Sequence, residues 1–227
     1  MTIPVGLVLA LFMCFPLRLR FFVVGCWRGG FLFLARWILG VRMVVKGSEN
    51  IPERPILVLS KHQSAWETVA LQAIFRPLVF VLKKELLRIP FFGWGLAAVR
   101  MIGIDRGAGR EALKQMLKEG RDCLEQGIWV VVFPEGTRVL PGERVRYKPG
   151  AAYLATRTGT PVLPVAHNAG DIWPRKALAI RPGTITVSIG PPIETRGLKD
   201  VQVSAAVEAW IEGEMRKLSP GKYPEPE

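Results

Sequence analysis

Apolar and polar positions follow two different periods along this chain, and the period changes at short glycine-, proline- or charge-containing breaks. Val41, Met43 and Val45 recur at every second residue and stop at Gly47, which predicts a half-buried strand. Residues 56–60, 78–82 and 127–133 are short, near-continuous apolar runs of the kind shown by strands buried on both faces, and residues 184–189 alternate again. Between them the period lengthens. Leu113, Met116, Leu117, Cys123 and Leu124 share one face of a helix over residues 110–126, with Gly127 as its stop. Pro149 opens a helix through Ala151 and Leu154 that Gly159 closes, and Val203, Val207, Trp210, Ile211 and Leu218 form the buried stripe of a last helix. No repeat interrupts this alternation, which predicts an α/β fold: a mixed, mostly parallel sheet flanked by helices.

Residues 1–40 behave differently. Residues 3–15 are apolar, Arg18 and Arg20 interrupt, and residues 21–27 and 31–38 resume with Arg28 and Arg36 among them. No run reaches the roughly 20 residues of a comfortable span. Positive charge follows the first run instead of preceding it, which argues against a cleaved signal peptide. The expectation is a membrane-associated helical segment that dips into one leaflet, with Trp27 and Trp37 at interfacial depth and arginines reaching phosphates; one tilted span is the alternative. If the chain spans, the basic residues after the first run place the body in the cytoplasm; the expected location is the cytoplasmic face of a membrane, as at a bacterial inner membrane. The chain then divides into the membrane-associated segment 1–40, a domain over 41–219, and a proline- and charge-rich tail over 220–227 expected to be mobile.

Composition narrows the partners. A formal net charge of +12 accompanies 49% hydrophobic residues, a pairing suited to an anionic membrane surface and a phosphate-bearing substrate. Nucleic acid would also attract the charge, but zinc-finger spacing, an aromatic RNA-binding signature and an arginine-rich tail are all missing. Cys14, Cys26 and Cys123 are odd in number and widely separated, so they predict no disulfide framework. The only histidines, His62 and His167, lack paired ligand spacing, so no metal site is expected.

The candidate chemistry lies where strands end. His62 sits on the turn after the strand of residues 56–60, and Glu67 follows on the first turn of a helix. A carboxylate on one ring nitrogen would fix the tautomer and leave the other to take a hydroxyl proton. Ser64 and Glu67 also fit a capping box, in which Glu67 only caps the helix. Pro134-Glu135-Gly136-Thr137-Arg138 closes the strand of residues 127–133: glycine permits close approach, threonine supplies a hydroxyl, and arginine supplies a planar fork for phosphate or carboxylate. A polar turn with a solvated arginine would look the same. Residues 89–96 suit an acyl-chain site, a membrane contact or core packing. His167 lacks a carboxylate in a comparable position and reads as structural or supporting.

Four ordered blocks over residues 40–195 resemble the 1-acylglycerol-3-phosphate acyltransferases of phospholipid synthesis: His62 to Glu67, Gly103-Ile104-Asp105-Arg106, Phe133-Pro134-Glu135-Gly136-Thr137-Arg138, and Pro161-Val162-Leu163-Pro164-Val165. The family's usual aspartate is Glu67 here, one methylene longer. The resemblance implies the same α/β architecture. It also implies transfer of a fatty acyl group from a thioester of acyl carrier protein or coenzyme A to the sn-2 hydroxyl of lysophosphatidic acid, giving phosphatidic acid, with no cofactor. His62 and Glu67 would be the catalytic pair. Arg106, Glu135, Gly136, Thr137 and Arg138 would serve the acceptor phosphate, with Glu135 orienting Arg138 or the loop, and Lys84 would lie at the same sheet end. Backbone amides at the helix start after His62 would meet the oxyanion. Within the class the alternative is an acyltransferase for another lyso-lipid acceptor; an acyl-thioester hydrolase and a non-catalytic lipid-binding protein are the readings from other classes.

Overall fold

The computed structural model describes residues 2–175 and 180–223. Seven strands form one sheet: β1 (Val41–Lys46), β2 (Leu57–Ser60), β3 (Leu78–Lys83), β4 (Ile102–Ile104), β5 (Trp129–Val132), β6 (Val162–His167) and β7 (Gly183–Ile189). Their spatial order is β1-β7-β6-β2-β5-β3-β4. Every ladder is parallel except β6–β7. The expected mixed, mostly parallel sheet is therefore what forms, and the uninterrupted apolar runs explain its centre: Leu57, Val58, Val130, Val131, Leu163 and Val165 are all fully buried.

The apolar pattern leaves two strands unmarked, the three-residue β4 and β6, and in β6 a proline argues against a central position. Pro164 nevertheless lies between β2 and β7. Its carbonyl accepts from the Gly190 amide, just beyond the end of β7. The N and O of one strand residue face the same edge, so the N–H that proline lacks would have faced the segment just past β7, which still runs beside β6 as far as the Val162–Ile193 bridge.

The helices are α1 (Thr2–Leu11), α2 (Leu17–Trp37), α3 (Trp66–Ile74), α4 (Phe92–Ala98), α5 (Arg110–Glu125), α6 (Gly150–Thr158), α7 (Ala169–Ile172) and α8 (Asp200–Leu218). Helix α5 packs on β4 and β5 and α8 on β6, with α6 between α5 and α8, whereas α2 lies on α3 and β1, and α1 lies on α4. Helix α5 carries the apolar face expected of it, with Ala112, Met116, Gly120 and Cys123 buried.

Strands β2 and β5 are neighbours, Leu59 standing beside Val132. Chain leaving β2 crosses to β3 on the far side of β5, and chain leaving β5 crosses to β6 on the far side of β2. The carboxyl ends of β2 and β5 thus flank a switch in strand order, where an open α/β sheet leaves a crevice. This placement brings the His62 turn and the Pro134–Arg138 turn together.

Two expectations change. The tail does not loosen at residue 220: Tyr223 is buried and the Lys222 ammonium lies 2.6 Å from an Asp171 carboxylate oxygen, while residues 224–227 lie outside the described residues. Trp27 is not at an outer interface; it is half-buried and faces inward onto a cavity, whereas Trp37 is exposed. Among the described residues, no helix is long and apolar enough to cross a membrane.

Helices α1 and α4 approach almost backbone to backbone. A Cβ on Gly6 would fall 2.1 Å from the Phe91 carbonyl oxygen, and one on Gly95 would fall 3.2 Å from the Gly6 Cα. Gly6→Val should push α1 off α4. Hydrogen exchange should then quicken over residues 2–11 while β2, β5 and β6 keep their protection; unchanged exchange over residues 2–11 would refute the close packing.

Candidate active site

Residues 60–64 run extended off β2, so successive side chains alternate in direction. Lys61 and Gln63 are fully buried below the turn, and His62 between them keeps a 14% exposed side chain above it. The backbone is held at each step. The Lys61 amide donates to Val165 O (2.9 Å), the His62 amide to Glu135 Oε1 (3.3 Å), and Val139 N to the His62 carbonyl (2.8 Å). The imidazole lies flat on Phe133, with ring centroids 3.8 Å apart and planes 12° apart.

Glu67 meets His62: Nδ1 lies 2.8 Å from Glu67 Oε1. The same oxygen accepts the backbone amides of Gln63 (3.0 Å) and Ser64 (2.8 Å). The pairing and capping readings are therefore not alternatives, because one carboxylate oxygen does both. The other half of the capping box is missing, since Ser64 Oγ accepts from the Trp66 amide instead (3.1 Å). Burial raises the Glu67 pKa, but the hydrogen bond from His62, the fields of His167 and His62 and the Ser64 amide outweigh it and hold the carboxyl below its ordinary range. A carboxylate there fixes the imidazole proton on Nδ1 and leaves Nε2 as the unprotonated nitrogen. The amides of Gln63 and Ser64, expected to meet an oxyanion, are already committed to Glu67, so that expectation does not hold for them.

His62 opens onto a cavity of about 430 Å³. Leu9, Val24, Trp27, Phe80, Leu96, Val99 and Met101 are among its apolar walls, while Lys83, Arg106, Arg138 and Arg175 supply cations and, among the described residues, no Asp or Glu lines it. Gly136 and Thr137 also face it. Gly136 has φ +72° and its carbonyl accepts from the Arg106 guanidinium. Arg138 is half-buried, and among the described residues its Nε has no hydrogen-bond partner.

The structure thus gathers His62, Arg106, Gly136, Thr137 and Arg138 around one cavity, with Glu67 directly behind His62. It does not bring Glu135 or Lys84 there. Glu135 is 2% exposed, and instead of orienting Arg138 it lies beneath His62, 3.5 Å from the buried Lys61 ammonium. Strand β3 runs one residue further than the apolar run suggests, so Lys83 ends it at the cavity while Lys84 starts an exposed 3₁₀ turn. Sequence reasoning missed Lys83 by that single residue. Arg175 had no signal at all: it follows α7 without any motif and reaches the site only by donating to the Arg138 carbonyl (2.8 Å). His167 is supporting, fully buried, with Nε2 2.8 Å from the Lys61 carbonyl and burial holding its pKa low.

The family model described as "Acyltransferase" matches residues 42–168, spanning both turns. The chain belongs to the acyltransferase family. A 1-acyl-sn-glycerol-3-phosphate acyltransferase of Pseudomonas aeruginosa is 46% identical to it over 219 residues, covering 93% of this chain and 85% of that protein. The alpha form of the mouse 1-acyl-sn-glycerol-3-phosphate acyltransferase is 30% identical over 182 residues, 78% of this chain and 64% of that one. The crystal structure of the 1-acyl-sn-glycerophosphate (LPA) acyltransferase PlsC from Thermotoga maritima aligns with a TM-score of 0.74 at 25% identity, over 97% of this chain and 98% of that chain. The resemblance carried by the four sequence blocks is borne out, as is the fold class.

Glu135 provides a test through pH. Burial pushes its carboxyl up to about 7, and one Lys61 ammonium faces both it and the carboxylate of Glu212. An unfolded glutamate titrates near about 4.3. Between those values the folded chain holds a proton that the unfolded chain has released, so stability falls as pH rises through that window, by at most about 1.4 kcal/mol per pH unit. Glu135→Gln removes this term and keeps an acceptor for the His62 amide. Urea unfolding at pH 5 and pH 7 should show the variant gaining on wild type as pH rises; a constant difference would refute it.

Proposed function

We propose that the protein transfers a fatty acyl group from an acyl thioester to the sn-2 hydroxyl of 1-acylglycerol-3-phosphate, giving phosphatidic acid. The observation that carries this reading is the free Nε2 of a carboxylate-held histidine at the mouth of a cavity with apolar walls and a cationic rim. That contrast matches an acceptor with an acyl chain at one end and a phosphate at the other. The names of the relatives support the same acceptor.

In the reaction, Nε2 takes the hydroxyl proton as the glycerol oxygen attacks the thioester carbonyl, and Glu67 stabilises the imidazolium that forms. The tetrahedral intermediate collapses by breaking the C–S bond, and the departing thiolate recovers the proton from Nε2. Acyl transfer is thus balanced without a covalent enzyme intermediate or a cofactor. Arg138, whose Nε has no partner among the described residues, meets the acceptor phosphate, and Arg106 holds the Gly136 carbonyl so that the turn keeps its shape.

The donor is a thioester of acyl carrier protein or coenzyme A, both acidic partners that suit a net charge of +12. The protein works at a membrane, from the cytoplasmic face of a bacterial inner membrane. Leu7, Leu11, Phe22, Phe33, Trp37 and Ile38 are exposed on and beside α1 and α2, and a bilayer would cover them.

His62→Ala should keep the fold and lower acyl transfer by about 10² to 10⁴, the usual contribution of a positioned base. Thioester turnover with and without lysophosphatidic acid measures it and separates the readings. A hydrolase would turn over without acceptor, and a lipid-binding protein would not turn over at all.

Arg138→Lys keeps the charge and loses the fork. The KM for lysophosphatidic acid should rise roughly ten- to a hundredfold, the worth of one charge-assisted contact. A phosphate-free acceptor should be poor and insensitive to the change. Equal damage toward both acceptors would make Arg138 structural.

A further inference from the structure

The family match ends at residue 168, yet the two buried side chains flanking His62 are both held by residues from beyond that limit. Lys61 Nζ lies 2.6 Å from Glu212 Oε1 on α8 and 5.6 Å from the centre of the Tyr223 ring. Gln63 Nε2 donates to the Tyr223 hydroxyl at 2.8 Å, and Gln63 Oε1 accepts the Gly170 amide at 3.2 Å. Tyr223 therefore touches the residue before His62 with its ring and the residue after it with its hydroxyl.

The hook that carries Tyr223 is itself fastened. Tyr223 N bonds back to Ser219 O, Ser219 Oγ lies 2.5 Å from Asp171 Oδ2, and Lys222 Nζ lies 2.6 Å from Asp171 Oδ1. A Cβ on Gly142 would strike the Lys222 carbonyl at 2.7 Å, so the hook also packs on the loop that follows Arg138.

A buried lysine and a buried glutamine are costly placements unless every polar group finds a partner, and an apolar pair would fill the same space more cheaply. What polar groups add is direction. Contacts on alternate residues pull the extended turn downward at positions 61 and 63, which leaves His62 no rotation of the strand that would carry its ring away from Glu67.

We propose that the C-terminal hook is a clamp on the reacting turn, with Tyr223 as a positioning residue acting through Gln63 and Lys61 to hold the His62 ring in register with Glu67. It rests on the reading of His62 as the base. None of the clamp residues touches the cavity, so its loss lowers turnover and leaves substrate binding alone.

Tyr223→Phe deletes the hydroxyl and keeps the ring over Lys61. Misplacing a reacting group by about 1 Å costs on the order of 10²-fold, and a loosened turn still stacked on Phe133 should lose part of that. The expected result for the full-length protein is a kcat about five- to thirtyfold lower with KM for both substrates unchanged. Gln63→Leu removes the same bond and also leaves the Gly170 amide without its acceptor, so it should lower kcat at least as much, and the double variant should be no worse than Gln63→Leu alone. A control is Thr156→Val, which breaks the 2.6 Å bond to Asp200 at the other end of α8: it should lower Tm without changing kcat.

A spectroscopic readout is independent of turnover. The chain has two histidines, so the Nδ1–H resonance of His62 is assigned by its loss in His62→Ala. Its exchange with solvent should quicken in Tyr223→Phe. Unchanged exchange, a kcat within about twofold of wild type, or KM moving together with kcat would overturn the clamp. Should His62→Ala retain transfer, the base reading fails, and ring exchange alone decides whether Tyr223 holds the turn.

Discussion

One carboxylate oxygen organises this site. Glu67 Oε1 receives the imidazole Nδ1–H and the amides of Gln63 and Ser64, which ties the start of α3, the turn after β2 and the ring of His62 to a single point. In a buried setting such charge-assisted bonds are strong, and leaving any donor unmet would be costly. Glutamate on the first helical turn reaches back to all three donors with one oxygen.

Beneath that point lies a second polar layer whose side chains do not line the cavity. Lys61, Glu135 and Glu212 bury one ammonium between two carboxyls, with Tyr147 donating to Glu212 (3.2 Å). A layer of this kind contributes little net stability relative to well-packed apolar side chains. Its value is geometric: the Glu135 carboxylate accepts the His62 amide, and His167 accepts Ala169 N on one nitrogen while donating to the Lys61 carbonyl from the other. Glu135, at first sight part of an anion-binding turn, belongs to this layer. The turn it opens still serves the cavity, because Gly136, Thr137 and Arg138 emerge on the other side of it.

Above the turn the surroundings change from polar to amphipathic. Helices α1, α2 and α4 close the apolar walls through Leu9, Val24 and Leu96, and the sheet end supplies Lys83, Arg106 and Arg138. The N-terminal segment is therefore part of the cavity and also carries exposed apolar side chains: Trp27 turns inward while Trp37 stays exposed.

The sequence by itself determined the periodic elements, since burial on one or both faces of a strand and on one stripe of a helix leaves a direct record in side-chain polarity. It also marked His62, Gly136, Thr137 and Arg138 as candidates, which the structure brings to one cavity, because the chemistry of a base and of an anion turn is carried by residue type at a strand end. It left Glu67 between two roles, and only the tertiary structure showed that one oxygen performs both. Pro164 hid β6, since whether a missing N–H matters depends on which segment faces it. Lys83 rather than Lys84, the burial of Glu135 and the arrival of Arg175 and Tyr223 were likewise decided in three dimensions. Each depends on distances between segments far apart in the chain, and no local pattern of polarity encodes such a distance.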